Sequence, residues 1–202
     1  MSIFLHKNDL PNDFKINGDI AIDTEAMGLN NHRDRLCLLQ FSNGNGEVHL
    51  VQFVDKKFDC PNLKKLLSDP KRTKILHYAR FDVAIIKKYL DVLLEPIYCT
   101  KIASKLIRTY TDQHSLKELC KDLVGVTLSK AQRSSDWGAD ELSEEQLQYA
   151  ASDVLYLHQI KEKLDVVLKR ENRDKLAQKC FEFLPTQAEL DLLGFGEDIF
   201  MH

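Results

Sequence analysis

Four acidic side chains and one tyrosine, in three separate stretches of the sequence, could together perform metal-dependent chemistry. They are Asp23 and Glu25 in AIDTEAMGL, Asp82 in ILHYARFD, and Tyr149 and Asp153 in QYAASD. Four carboxylates that converge in a protein pocket repel one another strongly, so their natural counterpart is a pair of divalent cations. Magnesium and manganese prefer oxygen ligands, which suits aspartate and glutamate. The set therefore indicates an enzyme that cleaves phosphodiesters with the help of metal ions.

The spacing of these residues predicts that several of them share a face. Asp23 and Glu25 stand two apart at the end of a predicted apolar strand, so both side chains point the same way and can share a metal. Tyr149 and Asp153 stand four apart on a predicted helix and occupy one side of it. Taken alone, each pattern has an ordinary alternative: a core tyrosine, a surface acid or, for Asp82, a first-turn acid favoured by the helix dipole. The combination carries the prediction.

Hydrophobic patterning predicts an α/β protein in which three strands come first. Predicted strands cover residues 19–25, 35–42, 47–53 and 74–78, and we expect the first three to pair antiparallel because turn-forming residues separate them. Predicted helices cover residues 61–69 and 82–90. Capping boxes at Ser115 with Glu118 and at Ser143 with Gln146 predict two more helix starts, and the second of these helices should run to about Arg170.

The chain is predicted to be one domain over residues 1–202, since no linker, repeat or low-complexity segment divides it. Its last part, about 181–202, is rich in phenylalanine and leucine. We expect that apolar tail to be buried, either on its own domain or at a subunit interface. The sequence shows no secretory signal and no apolar run of membrane-spanning length, which predicts a cytoplasmic protein without a membrane partner. Five scattered cysteines argue against a disulfide framework.

The net charge of −3 excludes general electrostatic attraction to nucleic acid. Binding a small substrate needs only a local cluster of positive charge together with the metals. Lys101, Lys105 and Arg108 recur at helical spacing, and Lys130 and Arg133 form a second group. For each lysine taken alone, a solvated helix face is an equally good interpretation.

The order D-x-E, then H-x-x-x-F-D, then Y-x-x-x-D resembles the three motifs of the ribonuclease D-like, DEDDy subgroup of 3′-5′ exonucleases. The stretches HRDRLCLLQFS, CTKIASKLIRTYTD, QRSSDW and YAASDVLYLH are similar to those of its compact stand-alone branch, nano-RNase C. The resemblance to the wider family covers residues 19 to about 160. It implies a ribonuclease H-like fold, in which a mixed sheet is flanked by helices.

The resemblance also implies roles for the five motif residues. Asp23, Glu25 and Asp153 would hold one Mg²⁺ or Mn²⁺ ion, and Asp23 would bridge to a second ion that Asp82 also ligates. Two such ions about 3.5 to 4 Å apart clamp the attacking and leaving oxygens of an in-line displacement. Tyr149 would orient the attacking water, and the product would be a nucleoside 5′-monophosphate.

Substrate-binding residues are implied in the same way. Ala26 and Met27 would offer backbone amides near the terminal 3′-hydroxyl, Leu29 would be a wedge between the last two bases, and His77 would line the site. Leu29 could equally be a turn residue that covers the core, and His77 a packed core residue. Four residues carry donors suited to a 5′-phosphate: Lys130, Arg133, Ser134 and Ser135. Trp137 could stack a base, although a single tryptophan is more often a core residue.

These expectations favour an exoribonuclease that acts on very short oligoribonucleotides, chiefly dinucleotides. Two alternatives stay open: a general exonuclease that trims longer or structured RNA or DNA, and an inactive exonuclease fold that binds nucleic acid. The second alternative is disfavoured because the complete set of metal ligands is present. The expected partners are short RNA, with DNA left open, and further copies of the chain in a closed homo-oligomer, for which the resemblance suggests an octameric ring.

Overall fold

Six strands form one mixed sheet in this computed structural model, which describes residues 1–128, 135–195 and 199. The strands are β1 (Ser2–Lys7), β2 (Ile20–Ala26), β3 (Leu36–Ser42), β4 (Glu47–Gln52), β5 (Lys74–Leu76) and β6 (Ile97–Cys99). They lie in the order β1-β4-β3-β2-β5-β6. β2, β3 and β4 pair antiparallel, whereas β1 runs parallel to β4, and β5 and β6 extend the other edge in parallel.

Helices flank this sheet. They are α1 (Pro61–Leu67), α2 (Arg80–Leu90), α3 (Thr100–Ile107), α4 (Leu116–Leu119), α5 (Glu144–Leu155), α6 (Leu157–Arg170) and α7 (Asp174–Leu193), with a π-helical turn over Cys120–Val124 after α4. All seven residues of β3 are buried, and because neighbouring side chains of a strand point to opposite faces, both faces of the sheet are covered there. Helix α5 packs against β2, β3 and β4, and α2 also contacts β3. The predicted fold class is therefore confirmed.

The predicted antiparallel arrangement of the first three strands is also confirmed, and both capping boxes are present. Strands β1 and β6 and helix α7 were not predicted. β1 is largely exposed and its apolar residues, 3–5, are consecutive, and β6 has only three residues, so neither shows a clear alternation of apolar and polar residues. The helix expected to run to Arg170 is instead two helices, because the backbone leaves helical geometry at Tyr156, with φ −106° and ψ −1°.

The apolar tail is divided between buried and exposed residues. Phe181 and Leu184 are 3% and 5% exposed and pack into the core, whereas Leu193 and Phe195 are 73% and 55% exposed. Burial on the chain's own domain therefore accounts for only part of the tail among the described residues.

Among all the described residues, none of the helices combines the length and the apolar character that crossing a membrane requires.

Candidate metal and substrate site

Three of the predicted metal ligands meet at one point. Carboxylate oxygens of Asp23, Glu25 and Asp153 all lie within 4.8 Å of one another, and all three side chains are partly exposed. Asp23 and Glu25 come from β2, and Asp153 comes from α5, which packs across that strand. Gln40, fully buried on β3 opposite Asp23, donates a 2.6 Å hydrogen bond from Nε2 to Asp23 Oδ2.

Asp82 lies outside that triad but close to it. It occupies the first turn of α2 and is 3% exposed, and its Oδ1 accepts a 2.6 Å hydrogen bond from Thr24 Oγ1. Thr24 stands between the two acids of β2, with its side chain on the opposite face of the strand from theirs. The charge of Asp82 nevertheless acts on Asp23 and Glu25.

The pKa values of these carboxyl groups show how unfavourable it is to ionise all of them together. Burial, followed by the charges of Asp82, Asp153 and Glu25, raises the pKa of Asp23 well above its usual range. Burial, Asp153 and Asp82 raise the pKa of Glu25 to about 9, and burial raises that of Asp82 to about 7 although Thr24 opposes the shift. In the described part of the chain, no ion pair involves Asp23, Glu25 or Asp82.

A divalent cation fits this cluster. The donors are carboxylate oxygens close enough to share one ion. Such an ion would supply the positive charge that Asp23 and Glu25 do not receive from a described ion pair. Histidine and cysteine are missing from the triad, which favours a hard cation such as Mg²⁺ or Mn²⁺ over zinc.

Tyr149 lies one helical turn before Asp153 on α5, as the spacing predicts. Its ring centroid is 6.1 Å from that of Trp137, and Tyr149 is partly exposed. Trp137 itself is only 3% exposed, so it is a core residue that supports the Tyr149 ring. The suggestion that Trp137 stacks on a base is therefore wrong for this conformation.

The end of β2 carries the three predicted contacts to the 3′ end of a substrate. A register shift in the β2–β3 pairing lies between Glu25 and Ala26, and bulges of this kind commonly re-aim side chains beside active sites. The Met27 amide donates to Arg35 O at 3.0 Å, so it is already used within the hairpin. Leu29 is 85% exposed and cannot be a turn residue that covers the core.

His77 follows β5 and is held by Thr100 at the start of α3. Thr100 Oγ1 donates to Leu76 O at 3.2 Å, so at its 2.9 Å contact with His77 Nδ1 the hydroxyl accepts the hydrogen bond. This assignment leaves Nε2 of His77 as an acceptor. Burial, together with the charges of Lys101 and His114, lowers the pKa of His77 to about 3, so the ring is neutral at physiological pH.

The predicted phosphate-binding group is described only in part. Lys130, Arg133 and Ser134 lie outside the described residues. Ser135 is partly exposed, and its hydroxyl accepts a 2.5 Å hydrogen bond from Nε2 of the buried Gln146, the N3 residue of the α5 capping box. Ser135 is thus fixed to the start of the helix that carries Tyr149.

One part of the predicted basic face is not where helical spacing suggests. Helix α3 ends at Ile107, so Arg108 leaves the face that Lys101 and Lys105 share. Arg108 is 6% exposed and donates from Nη2 to Asp122 at 2.5 Å. It is a buried structural residue, because its charge is used within the protein.

Sequence reasoning missed two residues that hold the acids, Gln40 and Thr24. Gln40 was the only polar residue inside the apolar run LCLLQF, which was a signal that it has a buried partner. Thr24 gave no such signal, because threonine is common in strands.

Comparison with known proteins places the chain among nucleases. Residues 7–169 match the family model described as 3′-5′ exonuclease. Ribonuclease D of Gluconacetobacter diazotrophicus is 35% identical over 154 residues, which cover 76% of this chain and 39% of that protein. The chain therefore spans about two fifths of the length of this ribonuclease D relative.

Solved structures give a similarity over the full chain. Brucella melitensis NrnC is 54% identical with a TM-score of 0.94, and each chain is covered completely. NrnC with bound Mg²⁺ and NrnC bound to pGG each give 53% identity, with TM-scores of 0.94 and 0.95. Escherichia coli RNase D, an exoribonuclease involved in structured RNA processing, is 28% identical with a TM-score of 0.74, over 85% of this chain and 45% of that one.

Proposed function

The chain belongs to the 3′-5′ exonuclease family, and on that premise we propose that it is a divalent-metal-dependent exoribonuclease. Its substrates would be short oligoribonucleotides, chiefly dinucleotides, and its products nucleoside 5′-monophosphates. The observation that carries the proposal is the convergence of carboxylate oxygens from Asp23, Glu25 and Asp153 within 4.8 Å, with Asp82 beside them.

The cofactor would be two Mg²⁺ or Mn²⁺ ions. Asp23, Glu25 and Asp153 would hold the first ion, and Asp23 with Asp82 the second. When bound, such ions provide an activated water and stabilise the charge that develops on the phosphoryl oxygens. The presence of Mg²⁺ in the structure of the related NrnC supports the choice of metal.

The chain's own residues would bind and orient the substrate. Tyr149 is partly exposed and lies one turn from Asp153. Its hydroxyl would donate a hydrogen bond to the attacking water and align that water with the phosphorus. Leu29, which projects into solvent after the β2 bulge, would stack against the terminal bases. The acceptor Nε2 of His77 would take a hydrogen bond from a sugar hydroxyl.

The 5′ side of the substrate would be bound by Ser135 and by residues just before it in the sequence. Ser135 has its oxygen fixed by Gln146, and it would contact a 5′-phosphate together with Lys130, Arg133 and Ser134. A site that binds the 3′ end and a terminal 5′-phosphate at the same time requires a fixed distance between the two ends. It would therefore favour a substrate of one length. Binding of pGG by NrnC supports a dinucleotide as that length.

Initial rates on RNAs of different length test the proposal. We would supply 5′-labelled RNAs of two, five and twenty nucleotides, and a matched DNA, with Mg²⁺ or Mn²⁺. We expect the two-nucleotide RNA to be cleaved fastest. Asp23→Asn should abolish cleavage, whereas Asp13→Asn, which removes the same charge from an exposed position, should not change it.

Each contrary outcome has a distinct meaning. Faster cleavage of longer RNA or of DNA would instead establish the general exonuclease, a function that the similarity to E. coli RNase D favours. Cleavage by Asp23→Asn at the unaltered rate would contradict the assigned chemistry. Binding of RNA without cleavage under any metal would establish a binding module.

We also propose that the chain forms a homo-oligomer through the exposed end of its apolar tail. Leu193, Phe195 and Ile199 are 73%, 55% and 46% exposed, and several large apolar side chains exposed close together in one segment are typical of an interface. Light scattering on the wild-type protein should give a closed assembly, with eight copies expected. Leu193→Ser with Phe195→Ser should give a smaller species, and a monomeric wild type would exclude the proposal.

A further inference from the structure

A cavity that is separate from the carboxylate cluster lies between helices α2, α3 and α7. Its volume is about 600 Å³, which is within the usual range for small-molecule sites. Four of the residues that line it are cationic, Arg80, Lys101, Lys105 and Lys179, and none is acidic. In a chain with a net charge of −3, a concave surface that is lined in this way is unlike the protein as a whole. We refer to it as the basic cavity.

The charges in the basic cavity are not all equivalent. Arg80 binds Asp191 through two hydrogen bonds of 2.6 Å, so its charge is balanced within the protein. Lys105 and Lys179 are exposed, and neither is ion-paired within the described residues. They come from different helices, α3 and α7, yet they face one cavity. Two such lysines suit a phosphate group.

Aromatic rings line the same cavity. Tyr78 is 53% exposed and Phe183 is 39% exposed, and the Nζ of Lys101 lies 4.0 Å from the centroid of the Tyr78 ring. Exposed rings beside lysines are the combination on which nucleobases stack while their phosphates are bound.

The backbone of Tyr78 is strained. Its φ of 61° is in the left-handed region, where a bulky residue is rare and is disfavoured. The strain is not compensated by burial of the ring, since more than half of the side chain is exposed. A residue held in this way at the rim of a cavity is a candidate for ligand contact.

The basic cavity and the proposed active site use neighbouring residues of the chain. Tyr78 follows His77, and Lys101 follows Thr100, the two residues joined by the 2.9 Å hydrogen bond. Asp82 lies four residues after Tyr78, in the first turn of α2. Two residues that line the cavity therefore adjoin, in sequence, the hydrogen-bonded pair that holds His77 in the proposed active site.

We propose that the basic cavity binds a nucleotide, with its phosphate at Lys105 and Lys179 and its base against Tyr78. The inference goes beyond the proposed function, because it assigns binding to residues outside the carboxylate cluster. The nucleotide has two sources with the same chemistry: a free nucleoside 5′-monophosphate, which is the product of the proposed reaction, or a nucleotide within a longer strand.

Binding without catalysis tests the first source. The probe is 2-aminopurine riboside 5′-monophosphate, whose fluorescence falls when the base stacks. The titration contains EDTA, so that no metal ion is present to bind the phosphate at the carboxylate cluster. We expect saturable quenching by the wild type. Lys105→Glu with Lys179→Glu should weaken binding by at least about tenfold. The control, Lys121→Glu with Lys163→Glu, makes the same charge change at exposed helical positions outside the cavity and should bind as the wild type does.

A substitution at Tyr78 separates binding from folding. Tyr78→Gly removes the ring and permits positive φ without strain, so its thermal stability should equal or exceed that of the wild type. Its quenching should nevertheless be lost. A Tyr78→Gly protein that quenches the probe as the wild type does would overturn the assigned role of the ring.

Cleavage rates in Mg²⁺ test the second source. If the cavity holds part of a strand, the Lys105→Glu, Lys179→Glu protein should lose about tenfold or more in kcat/KM on five-nucleotide RNA and little on two-nucleotide RNA. If both the binding and the cleavage of the charge-reversed protein match the control, the inference is overturned. It is also overturned if charge reversal changes only the size of the assembly, since the cavity is then a contact between copies. Because the first measurement needs no turnover, failure of the proposed function would not obscure it.

Discussion

Thr24 donates a 2.6 Å hydrogen bond to Asp82 from the face of β2 that lies opposite Asp23 and Glu25. The strand therefore supplies two acids to one side of the cluster and, from the residue between them, positions a third acid that belongs to helix α2. Both partners of this bond are buried, at 7% and 3% exposed, so the bond fixes the distance between strand and helix.

We predict that Thr24→Val weakens metal binding as well as the fold. The hydroxyl stabilises the ionised form of Asp82, so its loss raises the pKa of Asp82 further and makes the carboxylate a poorer ligand. The Mg²⁺ concentration for half-maximal activity should rise by about tenfold, and stability should fall by about 1–2 kcal/mol. Thr24→Ser keeps the donor and should behave as the wild type. An unchanged Mg²⁺ dependence in Thr24→Val would contradict the role of the bond.

Gln40 gives a cleaner separation of activity from stability. It is fully buried, and while its Nε2 is bonded to Asp23, its Oε1 has no hydrogen-bond partner. Gln40→Leu removes that unsatisfied oxygen together with the donor and keeps a similar volume, so the free energy of unfolding should change by less than about 1 kcal/mol. Activity should fall by about 10–100-fold, because Asp23 is no longer oriented. Chemical denaturation and initial rates measure the two effects, and a parallel loss of both would show that Gln40 is only structural.

The sequence predicted the acids of the site well and their supporting residues poorly. Strand and helix periods indicated that Asp23 and Glu25 share one face and that Tyr149 and Asp153 share another. The resemblance to the exonuclease motifs is what joined Asp153 to Asp23 and Glu25. Gln40 could not be assigned to Asp23, because the register between β2 and β3 depends on the bulge after Glu25. No residue type in the sequence indicates that bulge. The same limit applies to helix ends: Lys101 and Lys105 share a face as predicted, but α3 stops before Arg108. Tyr156 likewise interrupts a helix without proline or glycine.

The metal-free protein should become less stable as the pH rises from 7 to 9. The pKa of Glu25 is raised to about 9 and that of Asp82 to about 7, so in this interval the folded chain binds protons that the unfolded chain has already lost. Stability then falls with increasing pH, because the folded state binds more protons. Saturating Mg²⁺ should remove the trend, since the ion keeps the carboxylates ionised in the folded state as they are in the unfolded state.

Thermal melting at several pH values, in EDTA and in Mg²⁺, measures this effect. The stabilisation by Mg²⁺ should increase from pH 7 to 9 and should be much smaller in Asp23→Asn. The difference between the two conditions isolates the carboxylates, because the other group that titrates here, Lys74, should behave alike in both. Burial lowers the pKa of Lys74 to about 8, and the charges that act on it come from Asp69, Arg72, Asp19 and Glu95, outside the carboxylate cluster. A stabilisation that does not depend on pH would contradict the electrostatic account of the cluster.

Acid should destabilise the opposite edge of the sheet through His6 and His49. These side chains join β1 to β4, with His6 Nε2 and His49 Nδ1 3.2 Å apart and their rings stacked. Burial lowers the pKa of both, so below pH 6.5 the unfolded chain binds protons that the folded chain does not, and stability is lost as the pH falls. His6→Phe keeps a ring for stacking but cannot be protonated. In Mg²⁺, its melting temperature should therefore fall less between pH 7 and pH 5 than that of the wild type, and an equal fall in both would show that the pair does not control the acid stability of this edge.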